Sequence, residues 1–545
     1  MNVLPVQPAT RRVHFALTPN ETPGETPRFA GRLQHSDVFI EHRARHQNGW
    51  LRFLRWLALP QYQAVQPAQR APRSKVDSLS GETRAFYQLL EEYKDAVYSG
   101  RIAIGGLDHY EKALSKIDTT KLANDDKAYH LIMSHDVGWR QAMQAQSLSM
   151  RYDHRLSTGD QTYRLGNPKN YVTRLLNENP FARSPEFNSG LGLDDVLSPA
   201  IPKRGIGKQT YEAILKHQIY TELSPEALIK TARADFDHWQ TEMTALARQI
   251  DPKAKNWQQV YAEIQKNHPQ RGDVLDTYRA ETEKAKKFLI DHDLVDVPSG
   301  YTLRVQETPD QYKPDLPFAA YVPGRMAFWV TVTMNNDPKT EEAQLRAHNY
   351  ADVKAVTVHE AFPGHHLDDL HKHADGTPLD RNDARTPGRK FLLNDAHWDS
   401  APYSEGWGLY SETMMYDHGY YDNASDPKDT AAKKLTARRC MAWRAARAFL
   451  DAQIHTNQIS YNEAVDFLVD NLVMQRDRAE AEINRYYQNP GQVTTYYLGM
   501  KQFHQIWDKA KSADPSLTLK QFHNAMLKQE MPVPAVALAQ YGVEL

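Results

Sequence analysis

The sequence contains a single cysteine, Cys440, among its 545 residues. One cysteine excludes a disulfide framework and a cysteine-based zinc ribbon, so any metal site must use histidine, aspartate or glutamate side chains. No apolar run approaches the ~20 residues that cross a bilayer. The formal net charge of −2 gives no reason to expect nucleic acid or an anionic membrane as a partner. We therefore expect no transmembrane segment and no binding of nucleic acid.

The first 80 residues show neither a regular pattern nor an export signal. They are rich in proline, threonine, glutamine and arginine without periodicity, which predicts an irregular arm followed by a linker-like region over residues 1–80. After Met1 there is no basic region followed by an apolar one. The chain as written is expected to be cytoplasmic, or exported if a signal sequence was removed.

From residue 81 onward the apolar pattern is mostly helical. Phe86, Leu90, Tyr93 and Val97 recur at helical spacing. Ser224-Pro225-Glu226 has the composition of a helix start, and the apolar stripe over residues 228–250 follows it. Further helices are predicted over residues 273–290, 353–360 and 429–455 and after the capping-box sequence of residues 460–463.

Strand signals are few and lie together. Residues 301–306 and 327–333 are the best candidates because the second is dense in aromatic and β-branched side chains. The sequence therefore predicts a mainly α fold with a small β element. We expect a helical amino-terminal part over residues 81–300 and a catalytic part over residues 301–545, joined in one continuous fold.

Candidate chemistry is concentrated in residues 359–366, which read His-Glu-Ala-Phe-Pro-Gly-His-His. In an HExxH helix, histidines at i and i+4 bind one zinc ion and the glutamate beside the first histidine serves as general base. Here Pro363 occupies the i+4 position, and its ring clashes with the carbonyl of His359 in a continuous helix. A break at this point could bring either His365 or His366 to the metal; we favour His365, with Glu360 as the base.

A third ligand is available about 40 residues downstream, in the segment SEGWGLYSE of residues 404–412. A His-His-Glu set leaves the fourth position of zinc open for water. Glu405 and Glu412 are seven residues apart, so both could face the site although only one need be a ligand. Surface histidines beside a helix break are the alternative, which the density of the motif makes the weaker interpretation.

A polar stripe lies on the helix predicted over residues 429–455. Arg444, Arg447, Asp451 and His455 stand at i, i+3, i+7 and i+11 and share one face. An arginine there could hold a substrate carboxylate, although a solvated face with ion pairs fits equally well. Beyond a second Pro-Gly pair come two tyrosines, whose hydroxyls suit an oxyanion; half-buried structural tyrosines are the alternative.

Four segments in this order resemble the DUF885 family of bacterial proteins: HEAFPGHHL, SEGWGLYSE, RAARAFLDAQIH and RYYQNPGQVTTYYLG. The resemblance covers about residues 340–505. It implies a large, helical, metallopeptidase-like fold of the gluzincin type. It also favours His365 over His366 as a ligand, because the histidine directly after Pro-Gly recurs in the family. By the same resemblance Glu405 is the third ligand and Glu360 the base.

The resemblance extends to residues around the expected cleft. Tyr496 matches the tyrosine three positions before a glycine and is the expected oxyanion donor. Arg447, His455 and Arg485 match polar positions near the cleft. His455 would assist Tyr496, and Arg447 or Arg485 would hold the carboxyl terminus of a peptide.

The resulting hypothesis is a zinc-dependent hydrolase, and we favour a metallopeptidase acting on small peptides, with a carboxypeptidase-like action as one form. Zn²⁺ would be held by His359, His365 and Glu405. A metal-dependent amidase acting on a non-peptide amide is one alternative. A non-catalytic protein that binds a metal or a small molecule is another, but such a protein has no use for Glu360, a carboxylate beside the first ligand.

Overall fold

The computed structural model of the protein describes most of the chain from residue 81 onward. The described residues are 76, 79, 81–99, 106–153, 205–313, 316, 318–323, 325–334, 338–375, 386–527, 529 and 531–545. The irregular arm and linker predicted for residues 1–80 therefore lie almost entirely outside the described residues.

Seven of the described helices precede the sheet. They are α1 (Gly81–Tyr98), α2 (Leu107–Leu114), α3 (Asn124–Asp153), α4 (Lys208–His217), α5 (Pro225–Ile250), α6 (Trp257–Ile264) and α7 (Val274–Asp291). Single 3-10 turns lie at Thr119–Lys121, Arg271–Asp273 and Asp310–Tyr312.

Three strands and a second series of helices follow. The strands are β1 (Arg304–Glu307), β2 (Ala319–Val322) and β3 (Ala327–Val330). The helices are α8 (Pro338–Arg346), α9 (Tyr350–Glu360), α10 (His365–Asp375), α11 (Thr386–Asn394), α12 (Ala401–Asp417), α13 (Pro427–His455), α14 (Tyr461–Leu472), α15 (Arg476–Gln488), α16 (Thr494–Ala513), α17 (Leu519–Met526) and α18 (Val533–Tyr541). The predicted mainly α fold with a small β element is confirmed.

Helix α5 shows how the local sequence sets an element that the core then uses. The Ser224 hydroxyl accepts a hydrogen bond from the Ala227 N–H at 3.2 Å, as a helix cap does. Leu228, Phe236 and Met243 on its apolar stripe are buried, and this face packs along the length of α13. The helix ends at Ile250, where the sequence predicted it. The capping box that opens α14 is also confirmed.

The sheet has the strand order β1-β3-β2. Strand β1 pairs with β3 in parallel, with Arg304 opposite Ala327, and β2 pairs with β3 in the antiparallel sense, with Ala319 opposite Val330. The predicted segments 301–306 and 327–333 overlap β1 and β3. Strand β2 was not predicted, because its four residues, Ala-Ala-Tyr-Val, carry a weak strand signal. As an edge strand, β2 leaves one side unpaired within the sheet.

The helices that surround the candidate site pack more closely than side chains usually allow. Helices α12 and α16 pack along each other, and they cross at Gly406 and Gly499. A Cβ on Gly406 would lie 2.6 Å from the Cα of Gly499, so neither position has room for a side chain. The two backbones are therefore in direct contact.

No helix within the described ranges is both long enough and apolar enough to cross a bilayer, as the sequence led us to expect.

Candidate metal centre

The helix break predicted at Pro363 is present. Helix α9 ends at Glu360 and α10 begins at His365, so residues 361–364 interrupt the helix between them. The indole N–H of Trp407 donates a hydrogen bond of 2.8 Å to the Pro363 carbonyl and fixes this turn to helix α12. The break therefore places the end of α9, with His359, and the start of α10, with His365, against α12.

Three of the predicted residues converge at this point. Glu405 Oε2 on α12 lies 3.3 Å from His359 Nε2 and 3.2 Å from His365 Nε2. One candidate ligand atom from each residue lies within 4.8 Å of the other two. The three are half-buried or buried, and their polar atoms face one another. Two imidazoles and a carboxylate in this arrangement form a set that could hold a metal ion.

Glu412 lies behind His359 rather than beside it. Its Oε1 is 2.9 Å from His359 Nδ1 and 3.3 Å from a guanidinium nitrogen of Arg444, and its side chain is 3% exposed. A carboxylate at Nδ1 accepts the hydrogen there and leaves Nε2 free to bind a cation. Of the two glutamates that the sequence left as candidates, the structure brings Glu405 into the cluster and sets Glu412 to orient His359.

The spacing of SEGWGLYSE now has a physical reason. Glu405, Gly408 and Glu412 stand at i, i+3 and i+7, so one face of α12 meets His359. A Cβ on Gly408 would lie 2.7 Å from Cε1 of the His359 ring. The absent side chain leaves room for this ring against the helix, between the two glutamates.

His366 points away from the cluster. It is buried, its Nδ1 lies 3.4 Å from the Tyr321 hydroxyl, and the Phe362 ring packs edge-on against it. Burial lowers the pKa of His366 to about 4, so it is neutral at physiological pH. The sequence allowed either histidine after the break; the structure brings His365, not His366, into the cluster.

Glu360 occupies the end of α9 next to the cluster. Its Oε2 accepts a hydrogen bond of 2.8 Å from the backbone N–H of Tyr321 on edge strand β2. Its other oxygen makes no hydrogen bond with the part of the chain that the structure describes. The unpaired side of β2 thus holds this carboxylate in place while one of its oxygens remains available.

Tyr496, near the start of α16, also reaches the cluster. Its ring stacks on that of His359, with the centroids 6.0 Å apart. Its hydroxyl accepts a hydrogen bond of 3.3 Å from Arg485, whose guanidinium also donates to Gln492 at 2.7 Å. Burial and the negative charge of Glu405 raise the pKa of Tyr496. The phenol therefore keeps its proton and can donate it in a hydrogen bond.

Arg447 is paired within the protein. Its Nε and one terminal nitrogen bind the two carboxylate oxygens of Glu482 at 3.2 and 3.0 Å. Its guanidinium lies 4.8 Å from the centre of the Tyr496 ring and 4.3 Å from that of Trp443. Arg447 therefore contacts the Tyr496 ring and already has a carboxylate partner in Glu482, and its binding of a substrate carboxylate stays a prediction.

His455 lies further along α13. It is fully buried, and its Nε2 faces the Tyr486 carbonyl at 3.0 Å and Asp451 Oδ1 at 3.3 Å. It stands eight residues beyond Arg447 on α13, about 12 Å along the helix axis. The structure therefore does not bring His455 to the cluster, and the shared helical face fails to place it there because the helix runs past the site.

Asp451 takes a role that the sequence did not reveal. Its Oδ2 accepts hydrogen bonds from the Tyr211 hydroxyl at 2.8 Å, the Gly491 N–H at 2.9 Å and the Thr494 hydroxyl at 3.0 Å. It thereby ties the second Pro-Gly turn and the first residue of α16 to α13. Because Tyr496 follows Thr494 by two residues, Asp451 helps to position Tyr496. The signal in the sequence was an aspartate on the polar face of a predicted helix.

The charge of the cluster favours a cation. Burial lowers the pKa of His359, but hydrogen bonds to Glu405 and Glu412 outweigh burial and raise it to about 9. Burial favours a higher pKa for Glu405, but the hydrogen bonds from His359 and His365 outweigh burial and hold that pKa well below the ordinary value. Three carboxylates, including that of Glu360, surround two imidazoles, so the site attracts positive charge.

Comparisons with known proteins agree with the resemblance seen in the four motifs. The family model of DUF885, described as a bacterial protein of unknown function, matches residues 84–537. No curated protein matches the chain.

Two solved structures have a similar fold. A candidate lipoprotein of unknown function from Shewanella oneidensis is 17% identical, with a TM-score of 0.53 over 92% of this chain and 96% of that chain. A candidate lipoprotein from Colwellia psychrerythraea is 19% identical, with a TM-score of 0.52 over 86% of this chain and 77% of that chain. At these identities the likeness concerns the fold alone.

Proposed function

The chain belongs to the DUF885 family of bacterial proteins, whose description leaves function open, and we propose that this member is a zinc-dependent hydrolase, specifically a metallopeptidase acting on small peptides. One observation carries the proposal. His359, His365 and Glu405 converge within 4.8 Å, and Glu360, which is not among them, stands beside the first.

The donor set fits zinc. Two imidazole nitrogens and one carboxylate oxygen are the ligands of a common class of catalytic zinc site, which keeps one position open for water or substrate. The carboxylate of Glu412 at the far nitrogen of His359 matches the partner that metal-binding histidines usually have. When bound, zinc lowers the pKa of a water molecule and polarises a carbonyl group.

The chain's own residues supply the remaining chemistry. Glu360, held by the Tyr321 N–H, takes a proton from the attacking water with its available oxygen and delivers it to the leaving amine. The hydroxyl of Tyr496 donates a hydrogen bond to the carbonyl oxygen as negative charge develops there. Arg485 donates a hydrogen bond to the oxygen of that hydroxyl and so keeps it aimed.

The same residues argue against a protein that only stores metal. Storage needs ligands, and neither Glu360 nor Tyr496 is one in this arrangement. Both are groups that hydrolysis can use, one as a base and the other as a hydrogen-bond donor. A metal-dependent amidase would use the same groups, so an experiment with peptide and non-peptide amide substrates must distinguish the two functions.

The test uses Glu360→Gln in the full-length protein. We expect the purified wild type to bind one equivalent of zinc, to cleave members of a short-peptide library, to lose that activity with a chelator and to regain it with zinc. Glu360→Gln should retain zinc, because the ligands are intact, and lose turnover. Glu283→Gln, an exposed glutamate on α7, is the matched control and should behave as wild type.

Three outcomes contradict parts of the proposal. Turnover by a zinc-replete Glu360→Gln protein would remove Glu360 as the base. Cleavage of acylated amino acids but of no peptide would make the protein an amidase. Tight zinc binding without chelator-sensitive turnover of either substrate set would leave a binding protein.

A further inference from the structure

The second histidine of the metal segment, His366, has no part in the proposed metal centre, yet it is fully buried. Its Nδ1 lies 3.4 Å from the hydroxyl oxygen of Tyr321. The two rings also lie against each other, with their centroids 5.4 Å apart. His366 lies on helix α10 and Tyr321 on strand β2, so this contact joins the helix after the break to the edge of the sheet.

Asp369, three residues after His366 on α10, binds the same hydroxyl. The Tyr321 hydroxyl donates a hydrogen bond of 2.5 Å to Asp369 Oδ2. Burial, and then the negative charge of Asp369, raise the pKa of Tyr321, so the phenol keeps its proton. Burial favours a higher pKa for Asp369, but hydrogen bonds from His373 and Tyr321 outweigh burial and lower that pKa. The bond therefore joins a phenol to an ionised carboxylate, and such bonds are about twice as strong as neutral ones.

Tyr321 is thus held at both of its ends. Its backbone N–H donates to Glu360 Oε2 at 2.8 Å, and its hydroxyl is held by Asp369. Glu360 ends α9 and Asp369 lies on α10, so this one residue contacts the helices on both sides of the break at Pro363. As the edge strand of the sheet, β2 pairs with β3 alone. The hydroxyl of Tyr321 therefore ties the free side of β2, and the N–H that holds Glu360, to the helix that carries His365.

We propose that His366 and Asp369 are positioning residues: they hold the Tyr321 hydroxyl and, through the Tyr321 N–H, set the position of Glu360 relative to the zinc ligands. The inference rests on the proposed role of Glu360 as general base. A base must lie within hydrogen-bond reach of the proton that it takes, and a displacement of about 1 Å can lower a rate about 100-fold. The two histidines after the break then have separate tasks: His365 binds the metal, and His366 supports the strand that holds the base.

Substitutions on both sides of the hydrogen bond test the proposal in the full-length protein. Tyr321→Phe removes the hydroxyl and keeps the ring and the N–H, and Asp369→Leu removes the acceptor. Asp369→Asn keeps an acceptor oxygen and serves as the conservative variant, and His366→Leu removes the ring nitrogen. Tyr98→Phe is the matched control, because the exposed Tyr98 hydroxyl donates the same kind of bond to Asp395 at 2.6 Å. Thermal unfolding of the zinc-free proteins establishes that each variant is folded.

The first readout is hydrogen exchange of the backbone amides of residues 318–323 in the zinc-free protein, measured by mass spectrometry. We expect exchange to be about tenfold faster in Tyr321→Phe and in Asp369→Leu, the effect of losing a hydrogen bond to a charged group. Asp369→Asn should exchange more slowly than Asp369→Leu. The double variant should exchange no faster than either single one, because both substitutions remove the same bond. Tyr98→Phe should exchange as the wild type does.

The second readout is turnover of the zinc-loaded protein on the peptide that the wild type cleaves. Tyr321→Phe and Asp369→Leu should lower kcat by about 10–100-fold, because the base is displaced from its place. KM and zinc content should stay close to those of the wild type, since the metal ligands are intact. His366→Leu should lower kcat by a smaller factor, because its contact with the hydroxyl is the longer one at 3.4 Å.

Wild-type exchange and wild-type kcat in Tyr321→Phe would overturn the inference. Additive effects in the double variant would also overturn it, because the two residues would then act separately. A loss of zinc as large as the loss of kcat would assign the network to the metal instead of the base. The fate of the proposed function is separable from these results. Faster exchange in variants of a protein that hydrolyses nothing refutes the hydrolase and supports the hold of Tyr321 on Glu360. Turnover that needs Glu360 but is the same in all these variants refutes the positioning network alone.

Discussion

Replacing Glu412 with glutamine tests whether the carboxylate behind His359 sets the strength of the metal site. Glu412 lies 2.9 Å from His359 Nδ1, opposite the nitrogen that faces the cluster. Glutamine preserves the size and an oxygen acceptor but removes the charge that makes the imidazole a stronger ligand. Partners of this kind change metal affinity by about 10–100-fold, which is about 1.4–2.7 kcal/mol. We expect Glu412→Gln to weaken zinc binding within that range.

The structure also predicts a contrast between two substitutions at this position. Glu412 pairs with Arg444 at 3.3 Å, and both side chains are nearly inaccessible to solvent. Glu412→Ala leaves Arg444 without an anion, which costs about 3–5 kcal/mol of unfolding free energy. Glu412→Gln still offers an oxygen to the guanidinium, so its stability should fall less. The two substitutions therefore separate the effect on the metal from the effect on the fold.

Zinc affinity is measured by competition with a chromophoric chelator, and stability by urea unfolding of chelator-treated protein. Glu283→Gln serves as the control for the general effect of losing a carboxylate. Wild-type zinc affinity in a folded Glu412→Gln protein would refute the orienting role. A loss as large as that of His365→Ala would show that Glu412 is itself a ligand, and our placement of the two glutamates would be wrong.

Three further predictions follow from single contacts. Tyr496→Phe should lower kcat by about 10²–10³-fold with little change in zinc content, because one oxyanion donor is lost; an unchanged kcat would exclude that role. Gly408→Ala should weaken zinc binding more than it changes stability, since its Cβ would meet the ring of His359, 2.7 Å away, rather than backbone; chelator competition and urea unfolding measure the two effects. Burial lowers the pKa of His523 to about 4, so between pH ~6.5 and ~4 the unfolded chain binds the proton and the folded one does not, and stability falls with decreasing pH by up to ~1.4 kcal/mol per unit. His523→Gln should reduce that slope in urea titrations at several pH values, and an unaltered slope would contradict the assignment.

Much of the fold could be predicted because its signals are local. The stripe of α5 and its Ser224 cap, and the capping box of α14, are written in consecutive residues, and the structure contains both. Strand β2 was missed because Ala319 and Ala320 have no side chain that distinguishes a strand from a loop. Its pairing with β3, a neighbour in the sheet, is what makes it a strand.

For the candidate site, the sequence predicted which residues converge, but it did not predict which neighbours hold each of them in place. The break at Pro363 could be predicted from the sequence and allowed either His365 or His366, and the family resemblance then favoured His365 and Glu405. The pairing of Arg447 with Glu482 could not be predicted from the sequence. Glu482 follows 35 residues later, on another helix, and nothing in the spacing joins the two residues. The same limit explains His455: helical periodicity gives a direction around the axis, but the position of the site along that axis depends on how helices pack.

The crossing of α12 and α16 at Gly406 and Gly499 has a consequence for how this family can diversify. Glu405 is adjacent to one glycine and Tyr496 is three residues before the other, so the spacing between them is set by touching backbones, with no rotatable side chain in between. Positions on other helices can vary without altering that spacing. We expect the two glycines to be inherited as a pair across homologous sequences, while the residues that select the substrate differ from one lineage to another.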